Sequence, residues 1–336
     1  MAVPNSSSTE SFDALWTLTM RAKRKRLTDN ISDSYPTLGE FRKSGMIETE
    51  NGGKQIQEDL MYALQGGQWF DTYDVLATDR IDGITAAIYD WSYLAVPIVI
   101  SHVEEMENRA SDRAIKLIEA KTTQAMQGAF DTANSQIFSA QSGKSMLGLQ
   151  DILTAGAKGQ NGIGALGGIT STASEHTWWA NQTDSTALAT NFLTKTNGDI
   201  YDGVAKMGDM WNLCTEGNES PDIIFTNYDL YGNYEEIFEG TGHLRTTVGG
   251  RVGVDGRNPT FRGASIVPDR DAPASEMYFI NKKFLKLKVQ AGMNFAKTPF
   301  EKPSNQLAKV AFVVAGMQLT TNHRARLGRS TAMTAA

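Results

Sequence analysis

Cysteine is almost missing from this chain. One residue, Cys214, stands in 336, which excludes an intrachain disulfide framework and suits a reducing compartment. Long hydrophobic runs are missing too. No stretch approaches the roughly 18 apolar residues of a membrane helix, so no membrane partner is expected. Histidine is scarce, and none of His102, His176, His243 and His323 stands at metal-ligand spacing from another His, Cys or acid. No metal site is expected. Excess positive charge is absent. A net charge of −6 argues against a strongly basic nucleic-acid binder. The opening M-A-V-P-N-S-S-S-T-E has no apolar core, so no secretory leader is expected.

Catalytic signatures are equally thin. Gly162, Gly164 and Gly167 match G-x-G-x-x-G, but no strand precedes them and no helix follows, so a flexible loop is the better reading. Gly143-Lys144-Ser145 has the end of a phosphate-binding loop, yet the required earlier glycine is Phe138. Cys214 sits on an apolar stripe and reads as a buried, inert thiol. No carboxylate pair stands out as an acid/base couple. In His176 to Asn181, one of two adjacent tryptophans is expected to pack in the core. No catalytic residue and no cofactor is expected, and the chain does not read as an enzyme.

What is present is a mixed α+β pattern. Ser11 to Leu27 predicts a short helix with Phe12, Leu15, Trp16 and Met20 on one face. It ends in Arg21, Lys23, Arg24, Lys25 and Arg26, a cluster suited to protein contacts and also to phosphate. Residues 28 to 55 are turn-rich and read as an arm that borrows its packing from elsewhere. Lys54 to Asp90 turns to β chemistry and predicts a long hairpin with a polar tip near Asp71 to Asp82. Ala95 to Ile100 reads as a buried strand, with Pro97 marking an edge or irregular position.

Ser101 and Glu104 have capping-box spacing. Behind them a helical pattern runs to about Ala140, with Ile115, Ile118, Thr122, Ala125, Ala129, Ala133 and Ile137 in one stripe. Gln141 to Gly168 is mostly loop, with a short helix at Leu149 to Leu153. Asn197 to Thr215 predicts another helix, lined by Ile200, Val204, Met207, Trp211 and Cys214. Ile223 to Thr226 reads as a buried strand and Asn227 as the N-cap of a helix through Glu239. Gly240 to Asn258 is Gly-rich. Strands are expected at Ile266-Val267, Tyr278 to Ile280, Leu285 to Gln290 with one dry and one wet face, and Val310 to Ala315.

The order of certain phrases is more specific than any motif. G-G-K-Q-I-Q-E-D-L-M-Y at Gly52 to Tyr62 is followed by Y-D-W at Tyr89 to Trp91, V-P-I-V-I-S with E-E-M-E-N, G-L-Q-D-I-L, G-G-I-T and W-W-A-N. P-D-I-I-F-T-N-Y-D-L-Y, F-R-G-A-S-I-V-P-D-R-D at Phe261 to Asp271, Y-F-I-N and G-M-Q-L-T-T-N-H-R-A-R-L-G complete the series. Over about residues 25 to 330 this collinear set resembles the major capsid proteins of tailed bacteriophages, with the Hong Kong 97-like fold.

The resemblance implies an N-terminal arm over residues 1–50 and an extended β-hairpin loop over 51–100. It implies a peripheral domain with its spine helix over 101–142, an axial domain over 143–275, and returning strands of the peripheral domain over 276–336. It implies self-assembly into pentamers and hexamers of an icosahedral head around double-stranded DNA, held without sequence specificity. Intersubunit contacts are expected from Trp69, Phe70, Tyr73 and Arg80 at the loop tip and from Arg24, Lys25 and Arg26 in the arm. Scaffold, portal and decoration proteins are the expected partners, with assembly in the host cytoplasm and residence in the virion. An arm of about 50 residues leaves no room for a long scaffolding segment, so a separate scaffold is expected. The alternatives are an encapsulin-like compartment shell, a soluble hydrolase, and a decoration or tail component.

Overall fold

In the computed structural model of the chain, the described residues are 35–333 apart from 77, 79–80, 108–110, 155–164, 171–173, 189–190, 197–199, 241–258 and 305. The expected helix at Ser11 to Leu27, the basic cluster after it, most of the glycine motif at 162–167 and the Gly240 to Asn258 stretch lie outside them.

The chain enters the described region as helix α1 (Pro36–Lys43) and strand β1 (Ile47–Glu50). This differs from the expected coreless arm. Pro36 stands in the first turn, Leu38 and Phe41 supply an i, i+3 apolar pair, and Phe41 stacks on Phe225 with ring centroids 5.9 Å apart. At the N-terminus of α1 the side chain of Tyr35 makes no capping bond. Asp269, buried and distant in sequence, accepts from the Thr37 N–H at 3.3 Å and the Thr37 hydroxyl at 2.5 Å.

The predicted hairpin is present as β2 (Gln55–Met61) and β3 (Ile84–Asp90), paired antiparallel from Gln55 with Asp90 to Met61 with Ile84. Strand β4 (Ser92–Ser101) follows. It is not buried throughout. Its burial alternates, because only one face meets the core. The capping box forms at its end. Ser101 Oγ accepts from the Val103 N–H, and Glu104 accepts from the Ser101 N–H, both at 3.1 Å.

Helix α2 (His102–Glu107) and the 28-residue helix α3 (Ser111–Phe138) come next. The predicted stripe from Ile118 to Ile137 is buried along α3. After α4 (Leu149–Ile152) and β5 (Gln182–Asp184) comes α5 (Asp202–Cys214), shorter than expected. Ile200 precedes it and is exposed, whereas Met207, Trp211 and Cys214 are buried as the spacing requires. Strand β6 (Ile223–Thr226) is wholly buried. Asn227 then caps α6 (Tyr228–Gly240) by accepting from the Asp229 and Leu230 N–H groups.

The returning strands are β7 (Thr260–Phe261), β8 (Ala264–Pro268), β9 (Met277–Ile280), β10 (Leu285–Gln290), β11 (Ala296–Lys297), β12 (Ala308–Thr321) and β13 (Gly328–Ser330). They complete two sheets. In the first, β12 is central. β4 pairs with it from Ser101 opposite Ala308 to Ser92 opposite Met317, while β10 and β11 also pair with it and β1 runs parallel to β10. Pro97 therefore lies on an edge strand, as expected, where its missing N–H costs nothing. Helix α3 covers one face of β4 and β12. The second sheet runs β5-β13-β9-β6-β8-β7. Phe138 of α3 lies against Phe225 and Tyr278, so this helix serves both sheets.

The chain does not stop once the first sheet closes. Arg324 follows β12 and is fully buried. Its guanidinium donates to the carbonyls of Ile152, Trp179 and Thr154 and to Asn181 Oδ1, at 2.7 to 3.2 Å. No carboxylate pairs with it in these bonds, and burial lowers its pKa to about 10. β13 then joins the second sheet between β5 and β9.

Candidate assembly surface

The hairpin has two unlike halves. Its root is fastened to the subunit. Ile56, Leu60, Ala87 and Tyr89 are buried. The Tyr89 hydroxyl donates to the Thr321 carbonyl at 2.9 Å, and burial raises its pKa. Gln318 donates to the Asp90 carbonyl at 2.7 Å, and the Ile88 N–H donates to the Gly167 carbonyl at 3.0 Å. Gly167 has φ +61°, and a Cβ there would sit 2.7 Å from that of Ala87, so the loop reaches β3 only without a side chain. Tyr62 stacks on Trp178 at 5.1 Å, beside an open cavity of about 440 Å³ also lined by Asp82, Ile84 and His176.

A charged junction adds to the root. Lys288 of β10 is buried, contrary to the wet face expected of that strand. Its ammonium lies 2.8 Å from Glu48 and 3.0 Å from Glu50, both on β1, and 3.4 Å from Glu58 on β2. Burial works to lower the lysine pKa. Hydrogen bonds to Glu48 and Glu50 and the charge of Glu58 outweigh it and hold the pKa above the ordinary lysine value. Glu48 shifts the other way, lowered chiefly by its hydrogen bond to Lys288. The network ties together β1, the hairpin and the central sheet. Sequence reasoning missed it, although Glu48 and Glu50 at i, i+2 lie on one face of β1.

The other half is the tip, residues 63–81, whose described residues form no regular strand. Trp69 is 104 % exposed, Phe70 67 % and Tyr73 97 %; Val75, Leu64, Leu76 and Ile81 are also exposed. Its side-chain hydrogen bonds include one from the Asp71 N–H to Asp74 at 2.8 Å and one from the Ile81 N–H to Gln65 at 3.4 Å. The polar character expected of the tip is thus only part of it. The sequence-predicted contacts Trp69, Phe70 and Tyr73 share this tip. Arg80, Arg24, Lys25 and Arg26 lie outside the described residues. Of the two tryptophans near His176, Trp179 is the packed one and donates to the Leu166 carbonyl at 3.1 Å.

A clamped root with a coreless apolar tip suits association with other copies. The overall architecture has solved counterparts. The capsid asymmetric unit of cyanophage A-1(L) aligns with a TM-score of 0.61 at 15% identity, covering 86% of this chain and 90% of that one. The chain has the fold of phage capsid proteins. The capsid of a native GTA particle aligns with this capsid fold at 0.60 and 12% identity, covering 88% of this chain and 90% of that one. A holo encapsulin complex from Synechococcus elongatus aligns at 0.53 and 11% identity, covering 88% and 89%. No protein-family model and no curated protein matches the sequence. Among the described residues, no helix is long and apolar enough to cross a membrane, and no three His, Cys, Asp or Glu are grouped to hold a metal ion.

Proposed function

We propose that this chain is the major capsid protein of a tailed phage. It assembles as pentamers and hexamers into an icosahedral head around double-stranded DNA. The observation that carries this reading is the exposed aromatic tip on a fixed hairpin within a capsid fold. A monomeric soluble protein gains nothing from three exposed aromatics on a 19-residue loop tip. The same side chains, buried against a neighbouring copy, contribute at roughly 25 cal/mol per Å² of apolar area.

In this reading residues 1–50 form the arm, with Arg24, Lys25 and Arg26 touching neighbours, and 51–100 form the extended loop. Residues 101–142 and 276–336 build the peripheral domain, and 143–275 the axial domain. The role is structural, with no catalysis and no cofactor. Scaffold, portal and decoration proteins are its partners, the host cytoplasm is where it assembles, and the virion is where it resides. The mild negative charge of −6 suits a shell that must not grip the packed duplex. A second reading, a compartment shell, draws on the likeness to the encapsulin complex.

The experiment is electron microscopy and size-exclusion chromatography of the wild type and of a variant lacking Gln68 to Asp82, each with and without scaffold. Wild-type shells and a folded variant that forms none are expected. Failure of the wild type to assemble under all conditions overturns the proposal. Shells loaded with protein cargo, and never with DNA, favour the compartment reading.

A further inference from the structure

The net charge of −6 hides a local excess of the opposite sign. Arg42 and Lys43 close α1, where cations suit the negative end of a helix dipole. The parallel pairing of β1 with β10 then brings this end of α1 to the start of β10. The Leu287 N–H donates to the Met46 carbonyl at 2.8 Å, and the Lys286 ammonium donates to the Gly45 carbonyl at 3.3 Å. Lys282 and Lys283 occupy the turn that enters β10. Arg326, which follows β12, reaches the same turn. Its guanidinium lies 5.1 Å from the Phe284 ring centre, and the Lys283 ammonium lies 5.5 Å from that ring. Three segments far apart in sequence thus gather cations around one turn.

Acids answer only part of this charge. Lys283 pairs with Glu219 at 2.6 Å and Arg326 with Glu216 at 3.5 Å. Lys286 is taken by Glu48 at 3.2 Å. Glu216 is 65 % exposed, so water screens its hold on Arg326. Lys43 and Lys282 are exposed and stand in no ion pair among the described residues.

The kind of partner follows from what surrounds these cations. A contact between proteins is built on an apolar centre. Residues 42–45, 282–286 and 322–326 expose no large apolar side chain. A polar, positive surface without such a centre has the character of a contact with a phosphate backbone.

We propose that this patch meets double-stranded nucleic acid, in a loose contact of Lys43, Lys282, Lys283 and Arg326 with backbone phosphates that reads no sequence. The inference deepens the reading of a head that encloses DNA, and rests on it, by giving the wall a face for the duplex. The contact is loose because it is small. Four phosphates neutralised give a salt slope of about −3.6, so affinity falls on the order of a hundredfold between about 50 and 200 mM salt. The duplex is touched without being gripped, in keeping with the negative charge of the whole subunit.

The test is fluorescence anisotropy of a short labelled duplex of mixed sequence with the unassembled full chain, across that range of salt. The wild type is compared with Lys43→Gln, Lys282→Gln and with a control that loses the same charge elsewhere, Lys54→Gln, Lys144→Gln. All four lysines are exposed, and a thermal melt checks that each variant is folded. The wild type should bind with the slope given above. In the patch variant the slope should flatten by about 1.8 and the affinity at low salt should fall on the order of tenfold, while the control keeps both. Equal slopes in the patch variant and the wild type overturn the proposal, as does a wild type that binds no duplex. Preference for poly-glutamate over duplex would assign the patch to an acidic protein surface and also overturn it. Electron microscopy of the same wild type separates this inference from the reading beneath it. Shells from a chain that binds no duplex refute the patch alone, whereas duplex binding by a chain that never forms shells supports the patch and refutes the capsid reading.

Discussion

Replacing Trp69 and Tyr73 with serine should leave the subunit intact and disable its association. Both side chains are essentially fully exposed. Their removal deletes no intrachain packing, so the unfolding free energy should change by less than about 0.5 kcal/mol. At a contact with another copy the same removal is costly. Burying a large aromatic contributes on the order of 2 kcal/mol. Losing two amounts to roughly 4 kcal/mol per contact, or a weakening near a thousandfold at about 1.4 kcal/mol per decade. A shell multiplies this over every subunit. The assay is a concentration series followed by light scattering and sedimentation, beside a thermal melt of the unassembled chain. Assembly at wild-type concentration would refute the reasoning about the tip. A melting point several degrees lower would show instead that the tip packs on its own subunit.

Three further outcomes are expected. Val313→Asp puts an unpaired charge where β12 is fully buried, costing more than about 4 kcal/mol; a soluble, cooperatively melting variant would overturn the strand's placement. Arg324→Met strands the buried carbonyls of Ile152 and Trp179, at about 1 kcal/mol or more each, and the part-buried oxygens of Thr154 and Asn181; an unchanged denaturant midpoint would refute the anchoring role. His323 has its pKa lowered below 6.5, first by burial and then by Arg326. The unfolded state therefore binds its proton more readily, and the stabilisation is full above pH 6.5 and is lost as pH falls through the depressed value. Melting between pH 7.5 and 5 should flatten in His323→Gln, and an unaltered slope would contradict this.

Local patterns were legible in the residues alone. The stripe on α3 repeats at helical spacing, Asn227 stands directly before the helix it caps, and the hairpin is a run of β-formers between glycine breaks. Each of these is decided within a few neighbours. The misread positions depend on distant ones. Lys288 looks solvent-facing in an alternating strand, and only Glu48, Glu50 and Glu58, more than two hundred residues earlier, make its burial tolerable. Arg324 stands in the basic run H-R-A-R-L-G-R, where nothing nearby marks it as buried. Its partners are carbonyls, which no composition reveals. Residues 36–50 looked coreless because the surfaces that bury them, Phe225 and β10, belong to later segments. At the tip, the type of residue was legible and the exposure was not, since a Trp or Phe alone does not say whether a core surrounds it.

The route from β12 through Arg324 to β13 also sets a timetable. Ala308 meets Ser101, Leu319 meets Leu287, and Gly328 meets both Gln182 and Phe279. Both sheets thus wait for the same late segment. During synthesis, at about 5 to 20 residues per second, β4 and β5 emerge well before the strands that pair with them. The nascent chain holds two open sheet edges until residue 330 clears the ribosome. Closure of both sheets then falls in one late step, so chains interrupted before that point carry a hairpin tip with no finished body behind it.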